Sequence, residues 1–147
     1  AVEKVVEANT LLSGLGFEGC GVAAAHAIGM ALGDLPGMHD VLHGEEVAVG
    51  LIVQFMLEKR EPAFLEDMLD FYASIGLPAS IRELGVPEPN DEQLRNLAGF
   101  ALRPQSRIHN MSMPLTVEGV AKAILQAGEC VAAYHRGNVT NPALEEH

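Results

Sequence analysis

Apolar residues recur at three- and four-residue intervals along most of this chain, the period of a helix rather than a strand. In residues 1–13, AVEKVVEANTLLS, the positions Val2, Val5, Val6, Ala8 and Leu12 follow that spacing. Gly14 and Gly16 then end the segment. A second helix is expected from about Gly21 to Gly33, through VAAAHAIGMAL, with small residues that let neighbouring backbones approach. Residues 34–44 carry Pro36 and two glycines and read as a loop. The stretch 45–60, EEVAVGLIVQFMLEKR, is apolar almost all round, with acids first and bases last as the helix dipole favours. A helix apolar on every face belongs at the centre of a bundle.

Residues 63–75 are amphipathic and stop at Gly76, with Pro78 behind. A short helix is expected over Ser80–Leu84, followed by a proline-rich link. Asn90 stands as N-cap of the next helix with Gln93 in the capping-box position, and that helix should reach about Leu102. The segment RPQSRIHNMSMPL reads as an irregular surface crossing, and Thr116 as the cap of a last helix ending near Arg136. A polar tail after Gly137 is expected to be loose. With no alternating strand pattern anywhere, the fold class is all-α, with six or seven helices in one domain over residues 1–137 and a tail over 138–147.

Composition narrows the possible functions. Aromatics make up 5% of the 147 residues and Trp is absent, so the core must come from Leu, Val, Ile, Ala and Met. Nine basic against 20 acidic residues give a formal charge of -11, which disfavours nucleic acid and anionic lipid. Cys20 and Cys130 form no CxxC pair, and a reducing, cytoplasmic setting fits them. Glu3, Lys4 and Glu7 interrupt the first stretch, so no signal peptide is expected there. The uncharged run GCGVAAAHAIGMALG is too short and glycine-rich to span a bilayer and reads as a buried helix.

Gly14-Leu15-Gly16-Phe17-Glu18-Gly19 matches G-x-G-x-x-G by letter. The dinucleotide fingerprint requires a strand before the glycines and another after the helix, and neither is expected. A glycine-rich turn between packed helices is the better reading. Among six histidines, His26, His39, His43 and His109 lie on or near the second helix, its loop and the late crossing. His26 sits mid-helix among alanines, where its imidazole needs a partner from elsewhere. His39 and His43 stand four apart, on one side if the loop turns helical. Imidazole suits Zn(II) and Fe(II), but a catalytic site normally takes three protein ligands, and neither HExxH nor a Cys-His cluster is present. Local pattern alone leaves a metal site and a satisfied core histidine both open.

The SGLGFE turn, the AAAHAI helix, the HGEEVAVG segment and the later IHNMSMPLTVEGVAKAIL resemble, in order and spacing, the C-terminal helical domain of glycerol dehydrogenases. These are metal-dependent enzymes of the iron-containing-type alcohol dehydrogenase group, and the resemblance covers much of the chain. It implies the compact multi-helix domain of dehydroquinate synthase-like enzymes. His26 and His43 would be metal ligands, Phe17 would sit beside the substrate pocket, and His39 would lie in its wall. Zinc, with iron as the other option, would polarise the oxygen of glycerol or a similar small polyol. NAD would carry the hydride on oxidation to dihydroxyacetone.

Two departures matter. Gly19 and Cys20 follow Glu18 where the family usually has a serine and two glycines, which bears on substrate preference. The resemblance also places an NAD-binding domain and a third ligand, an aspartate, upstream of this chain. No catalytic or NAD-binding residue is therefore assigned within it, and alone it should be inactive; a homo-oligomer is expected. The alternatives are a free-standing oligomerisation or metal-binding module, and a dehydrogenase of another small polyol.

Overall fold

A computed structural model describes residues 23–110, 113–139 and 141–144. The expected first helix, the SGLGFE turn with Phe17, and Cys20 lie outside the described residues. Among the described residues there are five α-helices and no strand, in agreement with the all-α expectation. They are α1 (Ala23–Leu32), α2 (His43–Leu57), α3 (Pro62–Ile75), α4 (Asp91–Ala101) and α5 (Val117–His135). None of them is long and apolar enough to cross a membrane.

The all-round apolar segment is the central helix, as its pattern required. Nine consecutive residues of α2, Ala48–Met56, are buried. The bundle forms around it, with α1, α3 and α5 contributing Ile28, Leu32, Leu65, Tyr72, Val120 and Cys130 to the same core. Phe55 meets Phe64 edge-on at 4.9 Å. The Tyr72 hydroxyl donates to the Ala48 carbonyl at 2.7 Å, which fastens α3 to α2.

Local chemistry sets the helix ends. Asn90 accepts from the Gln93 N–H at 2.8 Å while the Gln93 side chain accepts from the Asn90 N–H at 2.9 Å, the reciprocal pair expected of that sequence. Thr116 accepts from Gly119 N–H at the head of α5. Gly76, at φ 75°, closes α3.

Three expectations are corrected. The central helix begins at His43, not Glu45, because the Glu45 carboxylate accepts the Leu42 N–H and so supports a start two residues earlier. It stops at Leu57 rather than Arg60, because Lys59 turns left-handed (φ 54°) and Arg60 N–H donates back to the Phe55 carbonyl. The late crossing is anchored rather than superficial. Its 3-10 turn, Arg107–Asn110, packs on α1 with Ile108 fully buried.

The tail also has an anchor. Asn141 is buried and donates to the Arg60 carbonyl at 2.6 Å, and a 3-10 turn, Pro142–Leu144, follows it.

Candidate metal centre

The two helices that carry His26 and His43 touch backbone to backbone. A Cβ on Gly50 of α2 would fall on the Ala25 carbonyl of α1. One on Gly29 of α1 would stand 3.1 Å from the Val47 nitrogen and 3.2 Å from the Glu46 carbonyl oxygen. At position 50 only glycine permits this approach without moving a helix, and at position 29 a side chain would press the facing backbone back by a few tenths of an ångström. The small residues seen in the sequence therefore have a defined task. They set the separation of α1 and α2 at the level where the two histidines meet.

At that level the rings of His26 and His43 lie edge to face, with centroids 4.9 Å apart and planes at 72°. His26 is half-buried on α1, and His43 occupies the first position of α2 with its side chain 58% exposed. The structure thus brings together two imidazoles that are 17 positions apart in sequence (43 − 26). The His43 Nδ1 lies 3.4 Å from a carboxylate oxygen of Glu46, three residues on along α2. A carboxylate on one ring nitrogen fixes the ring's orientation and leaves the other nitrogen for an ion.

This arrangement suits a metal only in part. Two rings at this separation can each turn one nitrogen toward a shared ion at about 2.0–2.1 Å. Among the described residues, however, no group of three or more His, Cys, Asp or Glu side chains could hold an ion. The donor set fits two corners of a tetrahedral or open site, with Glu46 orienting His43 rather than completing the set. Sequence reasoning missed Glu46 because it placed His43 in a loop. With α2 starting at His43, the spacing of three in HGEE puts Glu46 on the same helix face.

His39 occupies the 3-10 turn Met38–Asp40, 80% exposed, with Nε2 3.3 Å from Asp40. The chain between it and His43 is extended at Val41 and Leu42, so the helical i, i+4 relation between these two histidines does not form. His109 Nε2 lies 3.1 Å from the carbonyls of Leu102 and Arg103 at the end of α4. A cavity of about 530 Å³ lies between α2, α5 and the turn at Arg82, and neither His26 nor His43 lines it. Its size alone does not make it the chemical site.

No family model matches the chain. It is 42% identical over 127 residues to a glycerol dehydrogenase of Thermotoga maritima, covering 86% of this chain and 35% of that protein. It is 45% identical over 125 residues to glycerol dehydrogenase 1 of Schizosaccharomyces pombe, covering 84% of this chain and 28% of the relative. A glycolaldehyde reductase of Halobacterium salinarum is 40% identical over 129 residues, with 88% and 35% covered. The crystal structure of glycerol dehydrogenase from Schizosaccharomyces pombe superposes with a TM-score of 0.73 at 34% identity, over 83% of this chain and 33% of that one. The chain therefore spans about a third of the length of the relatives it matches. Over the stretch it spans, the chain is similar to the glycerol dehydrogenases, matching their helical C-terminal region.

Proposed function

We propose that this chain is the helical, metal-carrying part of an NAD-dependent glycerol dehydrogenase. In this reading His26 and His43 supply two of the metal's ligands. The observation that carries it is the pair itself: two imidazoles in edge contact across the α1–α2 crossing, one of them with its Nδ1 3.4 Å from the Glu46 carboxylate. Zinc or iron bound there would act as a Lewis acid toward a substrate hydroxyl.

The chain's own residues do the positioning. His26 and His43 present imidazole nitrogens from two helices whose separation Gly29 and Gly50 fix. The Glu46 carboxylate lies on the Nδ1 side of the His43 ring and can orient it. His39 is assigned to the pocket wall and stands in the exposed turn that leads into α2; Phe17, assigned beside the pocket by the family resemblance, lies outside the described residues. The third ligand, an aspartate at the beginning of the helical region, and the NAD site of a nucleotide-binding domain both come from upstream of this stretch, and the complete enzyme is a cytoplasmic homo-oligomer. Met30 and Leu42, exposed beside the two histidines, suit a face that such a partner covers. The match to a glycolaldehyde reductase keeps a second substrate in view, a small hydroxyaldehyde or related polyol.

Zinc titration of the wild-type chain against His26→Ala and His43→Ala tests the pair directly. Uptake should be lost in each variant. Equal uptake in all three would remove these histidines from the reading. The chain alone should give no glycerol-dependent NAD reduction.

A further inference from the structure

We infer that Gln54 is a positioning residue for the His26–His43 pair, an inference that rests on the metal reading above. Gln54 is the polar exception in the buried run of α2, 1% exposed between Val53 and Phe55. Both ends of its carboxamide are engaged. Oε1 accepts the Ala25 N–H at 3.0 Å across the helix crossing, and Nε2 donates to Glu58 Oε1 at 2.7 Å. The other oxygen of Glu58 accepts from Arg60, at 3.1 Å from Nε and 2.9 Å from Nη2. The Arg60 carbonyl in turn accepts from the buried Asn141.

The choice of residue at 54 follows from what faces it. The Ala25 N–H faces α2 and takes the Gln54 carboxamide oxygen as an acceptor across the crossing. Gln54 is four residues beyond Gly50, so both stand on the face of α2 that meets α1. Gly50 abuts the Ala25 carbonyl while Gln54 holds the Ala25 N–H. The peptide groups on both sides of Ala25 are thereby pinned, and His26 is the next residue along. A leucine at 54 would fill similar space but leave the Ala25 N–H buried without this acceptor and release α1 to rotate or slide on α2. That motion changes the approach of the His26 ring to His43. The action of Gln54 passes through the backbone before His26, by its hydrogen bond to the Ala25 N–H.

The test uses the 147-residue chain, with Zn(II) as probe and calorimetry at a temperature where circular dichroism shows every variant folded. Gln54→Leu should weaken the His26- and His43-dependent zinc site by about 10–100-fold, the usual effect of losing a partner that orients a ligand. Gln54→Glu should also weaken it, because two carboxylates then face each other at 54 and 58. The swap Gln54→Glu with Glu58→Gln should recover wild-type affinity, since the reversed pair again offers an acceptor to Ala25 and a donor to its neighbour. These last two variants decide the matter if the leucine variant does not fold.

A lower melting temperature with unchanged zinc affinity in the folded Gln54 variants would show a purely structural role and overturn the proposal. Failure of the swap to restore affinity would overturn it as well. A wild-type chain whose zinc uptake does not depend on His26 would instead defeat the metal reading, and this inference with it.

Discussion

Gly50→Ala is the sharpest perturbation of the crossing that builds the site. Alanine is favoured over glycine in a helix interior by about 0.8–1.0 kcal/mol, so local propensity alone predicts stabilisation. The packing predicts the opposite. The added methyl would fall on the Ala25 carbonyl oxygen and stand 3.1 Å from the Gly29 nitrogen, both backbone atoms of α1. A side chain can rotate away from such a contact, but a helix backbone must move as a body. Overpacking a tight core costs about 1–3 kcal/mol, and an immovable partner puts this case near the upper end. Taking the propensity gain from that cost leaves a net loss of about 2 kcal/mol. At about 2–4 °C per kcal/mol for a chain of this size, the melting temperature should fall by about 4–8 °C.

Gly128→Ala supplies the control. Gly128 is exposed in the middle of α5, and a Cβ there meets nothing within 4 Å. Only the propensity term remains, so this variant should gain about 0.5–1 kcal/mol. Thermal melts followed by circular dichroism at matched pH compare the two. The reasoning fails if both substitutions raise the melting temperature, because the close approach of α1 and α2 would then not be what requires glycine at 50.

Tyr72→Phe and Cys130 probe the same core through its chemistry. Removing the Tyr72 hydroxyl leaves the buried Ala48 carbonyl without its 2.7 Å donor and should cost about 1–2 kcal/mol at neutral pH. Burial holds the Tyr72 phenol well above its ordinary range. The folded state therefore keeps a proton that the unfolded state loses near pH 10. Stability from this group is complete below about pH 10 and declines as pH rises above it. Urea titrations should show that alkaline decline reduced in Tyr72→Phe. Part of it should remain from Tyr134, whose phenol is also held up by its hydrogen bond to Asp70; an identical alkaline slope in both proteins would refute the assignment. Burial pushes the Cys130 thiol up to about 11, so about one molecule in a thousand carries the thiolate at pH 8. In a Cys20→Ser background a thiol reagent should label Cys130 only after denaturation, and labelling of the folded chain at the rate of an open thiol would show that the α5 core is not closed.

The fold was legible wherever one segment contained its own reason. The reciprocal Asn90–Gln93 cap, the Thr116 cap, the left-handed Gly76 and the all-round apolar α2 each follow from residues a turn or less apart. Errors came where a distant or unexpected partner decided. Lys59 adopts a left-handed conformation that composition assigns to glycine or asparagine, and so α2 ends early. Ile108 sits in a polar, proline-flanked segment that gives no periodic signal, yet it is fully buried. Asn141 lies in a tail with the composition of a loose end, yet it is buried and hydrogen-bonded to the Arg60 carbonyl.

The candidate site divides along the same line. His26 and His43 stood out because imidazoles are few and their flanking motifs resemble those of a known family. That they touch depends on a helix crossing no local window contains. Gly44 misled the reading of α2: glycine before an apolar run suggests a loop, but nothing approaches within 4 Å of a Cβ there and the helix runs through it. Once the helix starts at His43, Glu46 becomes its neighbour by simple periodicity, so that partner was recoverable from the right boundary. Gln54 was not. Its partner at Ala25 is 29 residues away, and in sequence it is one amide within an apolar helix. What makes it informative is a cost visible only in three dimensions, a buried carboxamide that must satisfy a donor on one helix and an acceptor on its own. A residue under that double demand has few substitutes, whereas most apolar positions around it can exchange for others of similar volume. One constraint on the backbone before His26 therefore comes from a position that hydrophobic patterning would score as a fault.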